Sequence, residues 1–489
     1  MMRGLEAFGL NRNGIASPLR LVRRSVLVIS ASVVFGLSAA PIMVAAAGSP
    51  VEHVVTASES STAATLAVNP ARAAPEEAAP HPRPAARIHR VEAIRAILGL
   101  VVILVLAYLA GHPAVREIEK RLGLSQVVTA GFPFVLLGLI GRHPSIGVLS
   151  DETLDEIRPL LPFGLGWIGF AIGFRFDVRT LDPLPRGAVS AVAFATAFPF
   201  VVILGASSLV FMAKSGWTTE PSVLRSGMIL ATAGAIASRR PIKGEPSRQI
   251  SLLPLDRLTR VIQLEELAAV VGLILIAAFF RTGAPDAGWQ LPAVAWIFVM
   301  LGMGTAFGLI TFAFLASFER TAEVMVILIG AIAFMAGMAS YLRLSPVVIC
   351  CLAGASLANF SGSWKPQVRR ALGRLEPPIY LVFLVIAGAS WSVGAWEGWL
   401  LMVVFVAARF GGRMIGVRVL RRRDVGELNE LEQRHLALAP MGALAVAVVV
   451  NAQDLYLEPT IPWLLTAILG GAVVSEVVVQ WLARKRTAS

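Results

Sequence analysis

Two adjacent carboxylates, Glu265 and Glu266, stand inside an otherwise apolar run, Val261-Ile262-Gln263-Leu264-Glu265-Glu266-Leu267-Ala268-Ala269-Val270-Val271-Gly272. An ionisable group at mid-bilayer costs about 3 kcal/mol even on the mildest insertion scale, so each one needs a reason to be there. With 3.6 residues per turn, neighbouring positions on a helix point about 100° apart. One carboxylate can therefore face a charge partner while the other faces a cavity. The bland reading is that both are solvated caps at headgroup level, since Arg257 and Arg260 lie close by in sequence. Carboxylate oxygens suit hard cations. A proton and Na⁺ or K⁺ would compete for the same oxygens, and such competition yields exchange if the protein reorients with either guest bound but not when empty.

Arg409 follows the apolar run 400–408, and Arg413 follows it by one turn. A guanidinium stays charged in any protein environment. Arg409 either neutralises one of the glutamates or snorkels to the surface, and Arg413 is expected to snorkel. Two further runs carry residues that interrupt helices. The run 222–238 contains Gly227, Thr232 and Gly234 and stops at Arg239-Arg240-Pro241, while 435–450 contains Ala439-Pro440-Met441-Gly442-Ala443. A pair of Gly/Pro-broken membrane helices in corresponding places of two inverted halves is the sequence pointer to a transport site, although Gly and Pro are also common in ordinary membrane helices. Thr232, Gly234, Pro440 and Gly442 are thus candidates for a broken-helix crossing.

The elements that must position these groups follow from composition. Of 489 residues, 56% are hydrophobic and only 15% charged, and mean hydropathy is +0.72. Soluble domains carry about 25% charged residues. A soluble enzyme and a nucleic-acid binder are excluded. The apolar runs fall near 93–110, 126–140, 160–174, 188–212, 222–238, 258–280, 291–317, 321–342, 346–360, 377–393, 398–412, 435–450 and 461–482. Backbone in lipid must satisfy its own hydrogen bonds, so these predict an all-α polytopic membrane protein with about 13 transmembrane helices. Ahead of them, Arg20, Arg23 and Arg24 precede an apolar stretch ending in Ala45-Ala46-Ala47. Residues 1–47 read as a signal peptide or N-terminal anchor, 48–90 as a disordered Ala/Pro-rich linker, and 91–487 as the transmembrane domain.

The net charge of +12 lies mostly in alternate loops, which orients the chain by the positive-inside bias rather than implying a polyanion partner. The linker side faces outward and the C-terminus faces the cytoplasm, in a bacterial cell (inner) membrane crossed many times. Cys350 and Cys351 are adjacent in an apolar run and read as packing residues, with no disulfide or metal spacing. The chain has no Walker loop, dinucleotide fingerprint or metalloprotease His-Glu motif. No enzymatic activity, no cofactor and no resident metal are expected.

Four stretches resemble the monovalent cation:proton antiporter superfamily, the sodium/hydrogen exchanger-like membrane domain. Residues 165–177, ending in Gly173-Phe174-Arg175-Phe176-Asp177, look like its third helix. Leu344-Ser345-Pro346 followed by Leu352-Ala353-Gly354-Ala355-Ser356-Leu357-Ala358-Asn359 is similar to a second motif. Pro378-Ile379-Tyr380-Leu381-Val382-Phe383 with Ala387-Gly388-Ala389, and Leu438-Ala439-Pro440-Met441-Gly442-Ala443-Leu444-Ala445, are similar to a third and a fourth. The resemblance implies two inverted repeats with crossed broken helices, a core that moves against a dimerisation domain, and a homodimer in the bilayer. It implies proton/cation binding at Glu265 and Glu266, a charge partner at Arg409, and exchange of H⁺ for a monovalent cation (Na⁺ or K⁺) by alternating access. Two departures stand out. The family's Thr-Asp-Pro on the fifth helix is replaced by Thr232-Ala233-Gly234 or Ala237-Ser238, and the acidic pair is Glu-Glu. These leave open a transporter of another solute with the same architecture, or a non-transporting membrane sensor or assembly module.

Overall fold

The computed structural model describes residues 132–142, 154, 159–181, 188–217, 220–237, 255–281, 291–317, 321–422, 436–439, 441–456 and 458–487. The expected signal or anchor, the linker and the first apolar run lie outside these residues. Among the described residues all regular structure is helical. Apart from a single turn at Val178–Leu181, the helices are α1 (Phe132–Gly141), α2 (Leu160–Gly173), α3 (Ala188–Lys214), α4 (Pro221–Ala235), α5 (Leu255–Phe279), α6 (Ala293–Leu315), α7 (Thr321–Tyr341), α8 (Pro346–Asn359), α9 (Lys365–Ala389), α10 (Trp396–Arg422), α11 (Ala443–Leu455) and α12 (Ile461–Thr487).

Eight helical segments among the described residues are long and apolar enough to cross a membrane. The chain is a multi-pass membrane protein. Several apolar helices are short, among them α2 and α8 with 14 residues each and α4 with 15. At a rise of about 1.5 Å per residue none of these spans a hydrocarbon layer of about 30 Å unaided. They are also well enclosed, with Leu165, Trp167, Phe170, Leu230, Ala231, Val347 and Val348 all essentially buried.

The helices sort into two groups by their packing. In one, α3 lies against α4 and α10, α10 against α12, and α4 against α5 and α11. In the other, α8 lies between α2 and α6, α7 packs on α2, and α9 on α1. The groups meet where α5 and α11 face α2, α6 and α8. Glycines set the closest approach inside the second group. A Cβ on Gly173 would run into the Cys351 carbonyl, and one on Gly354 would come within 2.5 Å of the Phe170 carbonyl. Small residues let membrane helices approach backbone to backbone, which is how helices without a hydrophobic driving force hold together.

Several ends differ from the apolar runs. The helix expected at 377–393 begins at Lys365, because residues 364–376 are amphipathic rather than loop-like: Trp364, Val368, Ala371 and Leu372 are buried while Arg369, Arg370 and Arg374 are exposed. The helix expected at 398–412 continues to Arg422. Cys350 and Cys351 are free, buried thiols within α8, as packing residues should be.

Candidate functional site

α4 and the helical turn ahead of α11 both end in buried surroundings. α4 ends at Ala235 and the chain runs extended through Ile236. In the segment ahead of α11, a helical turn at 436–438 stops at Ala439, and α11 begins only after Gly442, whose φ of −101° and ψ of 175° are extended. Pro440 lies outside the described residues. α4 and α11 pack against each other. Each break leaves carbonyls that no following N–H can reach, and burying such acceptors costs about as much as a lost hydrogen bond.

Two arginines one turn apart on α10 satisfy these acceptors. Arg409 donates from Nη1 to the Gly234 carbonyl and from Nη2 to the Ala439 carbonyl at 2.8 Å. Arg413 donates from Nη1 to the Leu436 carbonyl at 2.8 Å and from Nη2 to the Ala235 carbonyl at 2.8 Å. Each guanidinium therefore ties α4 to the segment ahead of α11. A cation at the C-terminal end of a helix also meets the negative end of its dipole.

Glu265 completes the cluster: its Oε2 accepts from Arg413 Nη2 at 3.1 Å, and both side chains are almost wholly enclosed. The expected charge partner, Arg409, lies within electrostatic reach of Glu265 but does not bond it. The guanidinium bonded to Glu265 is Arg413, while Arg409 spends its Nη groups on backbone carbonyls. Arg413 does not snorkel either. The reason is physical: broken-helix carbonyls are fixed acceptors in a dry site, and both arginines lie on the one face of α10 that meets them. The bland reading of Glu265 as a solvated cap fails for the same reason, since the side chain is 1% exposed.

Glu266 is buried too. As the 100° offset requires, it does not share Glu265's bond to Arg413, and it lies near enough to Cys351 of α8 for its charge to act on that thiol. It thus belongs to the seam between the two helix groups. Thr232, in the last turn of α4, is buried against α5: a Cβ at Gly272 would stand 2.9 Å from its Oγ1. Thr232 Oγ1 and Glu265 Oε1 are buried oxygens with no hydrogen-bond partner among the described residues. Gly234 is needed at its position because a Cβ there would enter Ile203 and Phe405. No His/Cys/Asp/Glu group suited to a metal ion occurs among the described residues.

Two clusters escaped the sequence reading of the site. Ser345, the N-cap of α8, accepts from the Val348 N–H at 3.3 Å, and its hydroxyl donates to Asn451 Oδ1 of α11 at 2.8 Å. This buried bond crosses from one helix group to the other. At the far end of α8, Asn359 donates from Nδ2 to the Phe176 carbonyl at 3.0 Å and accepts from the Val178 N–H at 3.0 Å. Beside it, Lys365 pairs with Asp177 at 3.0 Å. Two of the motif stretches thus end against each other; their polar residues hold the α2–α8 pair rather than the acids. The resemblance had taken in Asp177, Ser345 and Asn359 within its motifs, but not Asn451 or Lys365.

This arrangement, two helix groups that meet around buried helix ends, has a counterpart among solved structures. No family model matches the chain, and no curated protein matches it in sequence. Among solved structures it is similar to the sodium proton antiporter MjNhaP1 from Methanocaldococcus jannaschii, with 15% identity and a TM-score of 0.57 over 81% of this chain and 98% of that one. An electron-microscopy structure of the same antiporter aligns with 16% identity and a TM-score of 0.48 over 80% and 95% of the two chains.

Proposed function

We propose that the protein is a secondary active transporter that exchanges a monovalent cation, Na⁺ or K⁺, for protons by alternating access. The observation that carries this reading is the division of labour in the acidic pair. Glu265 is committed to Arg413, and Glu266 lies one position on, at the seam where the helix groups meet. In this reading Glu265 is the fixed member, and Glu266 alternates between a proton and the cation. The buried oxygens of Thr232 and Glu265 that make no protein hydrogen bond are available to a dehydrated cation, which needs oxygen ligands to replace its water. The group containing α3–α5 and α10–α12 is the moving core. Its two broken helices support descent from two inverted repeats. We further infer a homodimer in a bacterial inner membrane, with the Arg-rich loops and the C-terminus cytoplasmic.

The departure at α4 favours a second reading. That helix carries no acidic residue, so the site holds less negative charge than the family pattern implies, and another solute on the same architecture is the alternative. Proton flux in inside-out vesicles separates the two. Addition of Na⁺, K⁺ or Li⁺ should release accumulated protons for at least one cation, and Glu266→Gln should abolish the response. A wild-type protein silent to every cation would remove the exchange reading and leave the alternative.

A further inference from the structure

The first half of α9 breaks three local rules at once. Its first turn contains no acidic residue, although acids are favoured at the positive end of a helix. Lys365 stands there instead, and Arg369 and Arg370 follow in the second turn. Arg370 and Arg374 are one turn apart, a like-charge spacing that destabilises a helix. The charge is also uncompensated. Arg369, Arg370 and Arg374 are exposed and make no ion pair or hydrogen bond among the described residues. The nearby acids are taken, Glu376 by Arg175 at 2.8 Å and Asp177 by Lys365 at 3.0 Å.

Gly373 lies with Arg369, Arg370 and Arg374 on the exposed face, and a Cβ there would meet nothing within 4 Å. The opposite face is fixed to the protein through Trp364, Val368, Ala371 and Leu372, so the basic face has one orientation. Its depth is set by helix length. The 25 residues of α9 span about 37 Å, and a hydrocarbon layer takes about 30 Å of that. Beyond the opposite end of α9, Trp396 and Trp399 are exposed, as aromatic side chains at a membrane interface are. The excess of about 7 Å projects at the Lys365 end. Arg369 and Arg370 then lie at the hydrocarbon boundary and Arg374 about one turn inside it, within snorkelling reach of the headgroups.

We propose that Arg369, Arg370 and Arg374, around Gly373, form a binding site for the headgroup of an anionic phospholipid. A phosphate seated there would offset the positive helix end and the like-charge spacing together. Its acyl chains would continue along the apolar half of α9. A soluble polyanion fits less well, because the site lies at and below the membrane boundary rather than beyond it.

The test uses the full-length protein in neutral detergent, titrated with phosphatidylglycerol or phosphatidylcholine, with bound lipid counted by native mass spectrometry. Each arginine near a charged membrane surface contributes about fivefold in affinity. Arg369→Gln/Arg370→Gln/Arg374→Gln should therefore weaken phosphatidylglycerol binding roughly a hundredfold, leaving phosphatidylcholine binding unchanged. Arg418→Gln/Arg422→Gln, which removes exposed arginines elsewhere, should leave tight binding intact. Equal losses in the two variants would overturn the site in favour of a general charge effect. Equal binding of the two lipids by the wild type would overturn it as well, as would displacement of phosphatidylglycerol by millimolar inorganic phosphate.

Discussion

Arg413 Nη2 stands 3.1 Å from Glu265 Oε2 and 2.8 Å from the Ala235 carbonyl, so one nitrogen joins the acid of α5 to the broken end of α4. Removing one partner of a buried ion pair costs about 3–5 kcal/mol because the other charge is left uncompensated. Arg413→Ala would also strip the Leu436 and Ala235 carbonyls of their donor. That variant should lose most of its folded yield in detergent, with a large drop in Tm. A melting temperature within a degree or two of wild type would mean that the pair contributes nothing.

Glu266→Gln should behave in the opposite way. It keeps the shape and hydrogen-bonding capacity of the side chain and removes its charge. Folding should change by about 1 kcal/mol or less, whereas cation-driven proton movement in vesicles should vanish. Retained exchange would move the assignment to another acid.

Arg409→Lys tests the carbonyl bonds rather than the charge. An ammonium is a point charge and cannot reproduce the two-armed guanidinium that joins Gly234 to Ala439. We expect a loss of about 1–3 kcal/mol, the cost of an unsatisfied buried acceptor, read as a lower Tm. Full stability in the lysine variant would show that charge alone is required there.

Ser345 and Asn451 should be energetically coupled. Ser345→Ala removes both the cap of α8 and the bond across the two helix groups, at about 1–3 kcal/mol together. A double-mutant cycle with Asn451→Ala should return a coupling of at least about 0.5 kcal/mol. Additive losses would mean that the cross-group bond carries no energy.

Orientation can be checked by labelling. A cysteine replacing Gly394, in the exposed turn between α9 and α10, should react with an impermeant reagent from outside. One replacing Arg422 should react only after the membrane is opened. The reverse pattern would invert the topology drawn from the charge bias.

What could be read from the sequence was whatever a local pattern encodes. The acidic pair in its apolar run, the 100° separation of its side chains, and the breaks near Gly234 and Gly442 depend on neighbours in the chain. What could not be read was which arginine meets which acceptor. Arg409 and Arg413 lie one turn apart on the same face of α10, and their roles are set by where the backbones of α4 and the 436–439 segment stop. Those carbonyls have no side-chain signature. The early start of α9 was hidden for a related reason: Val368, Ala371 and Leu372 become buried only because neighbouring helices cover them.

The arginines at the buried helix ends carry a permanent double positive charge, held by main-chain oxygens rather than by the guest. With Glu265 and Glu266 both ionised, the four buried side chains sum to zero. A single proton or a single monovalent cation then brings the sum to one positive charge, whichever of the two is aboard. Under the exchange proposed above at a one-for-one ratio, the loaded core carries identical charge in both directions. Such a cycle produces no net current, and the membrane voltage adds nothing to its overall driving force.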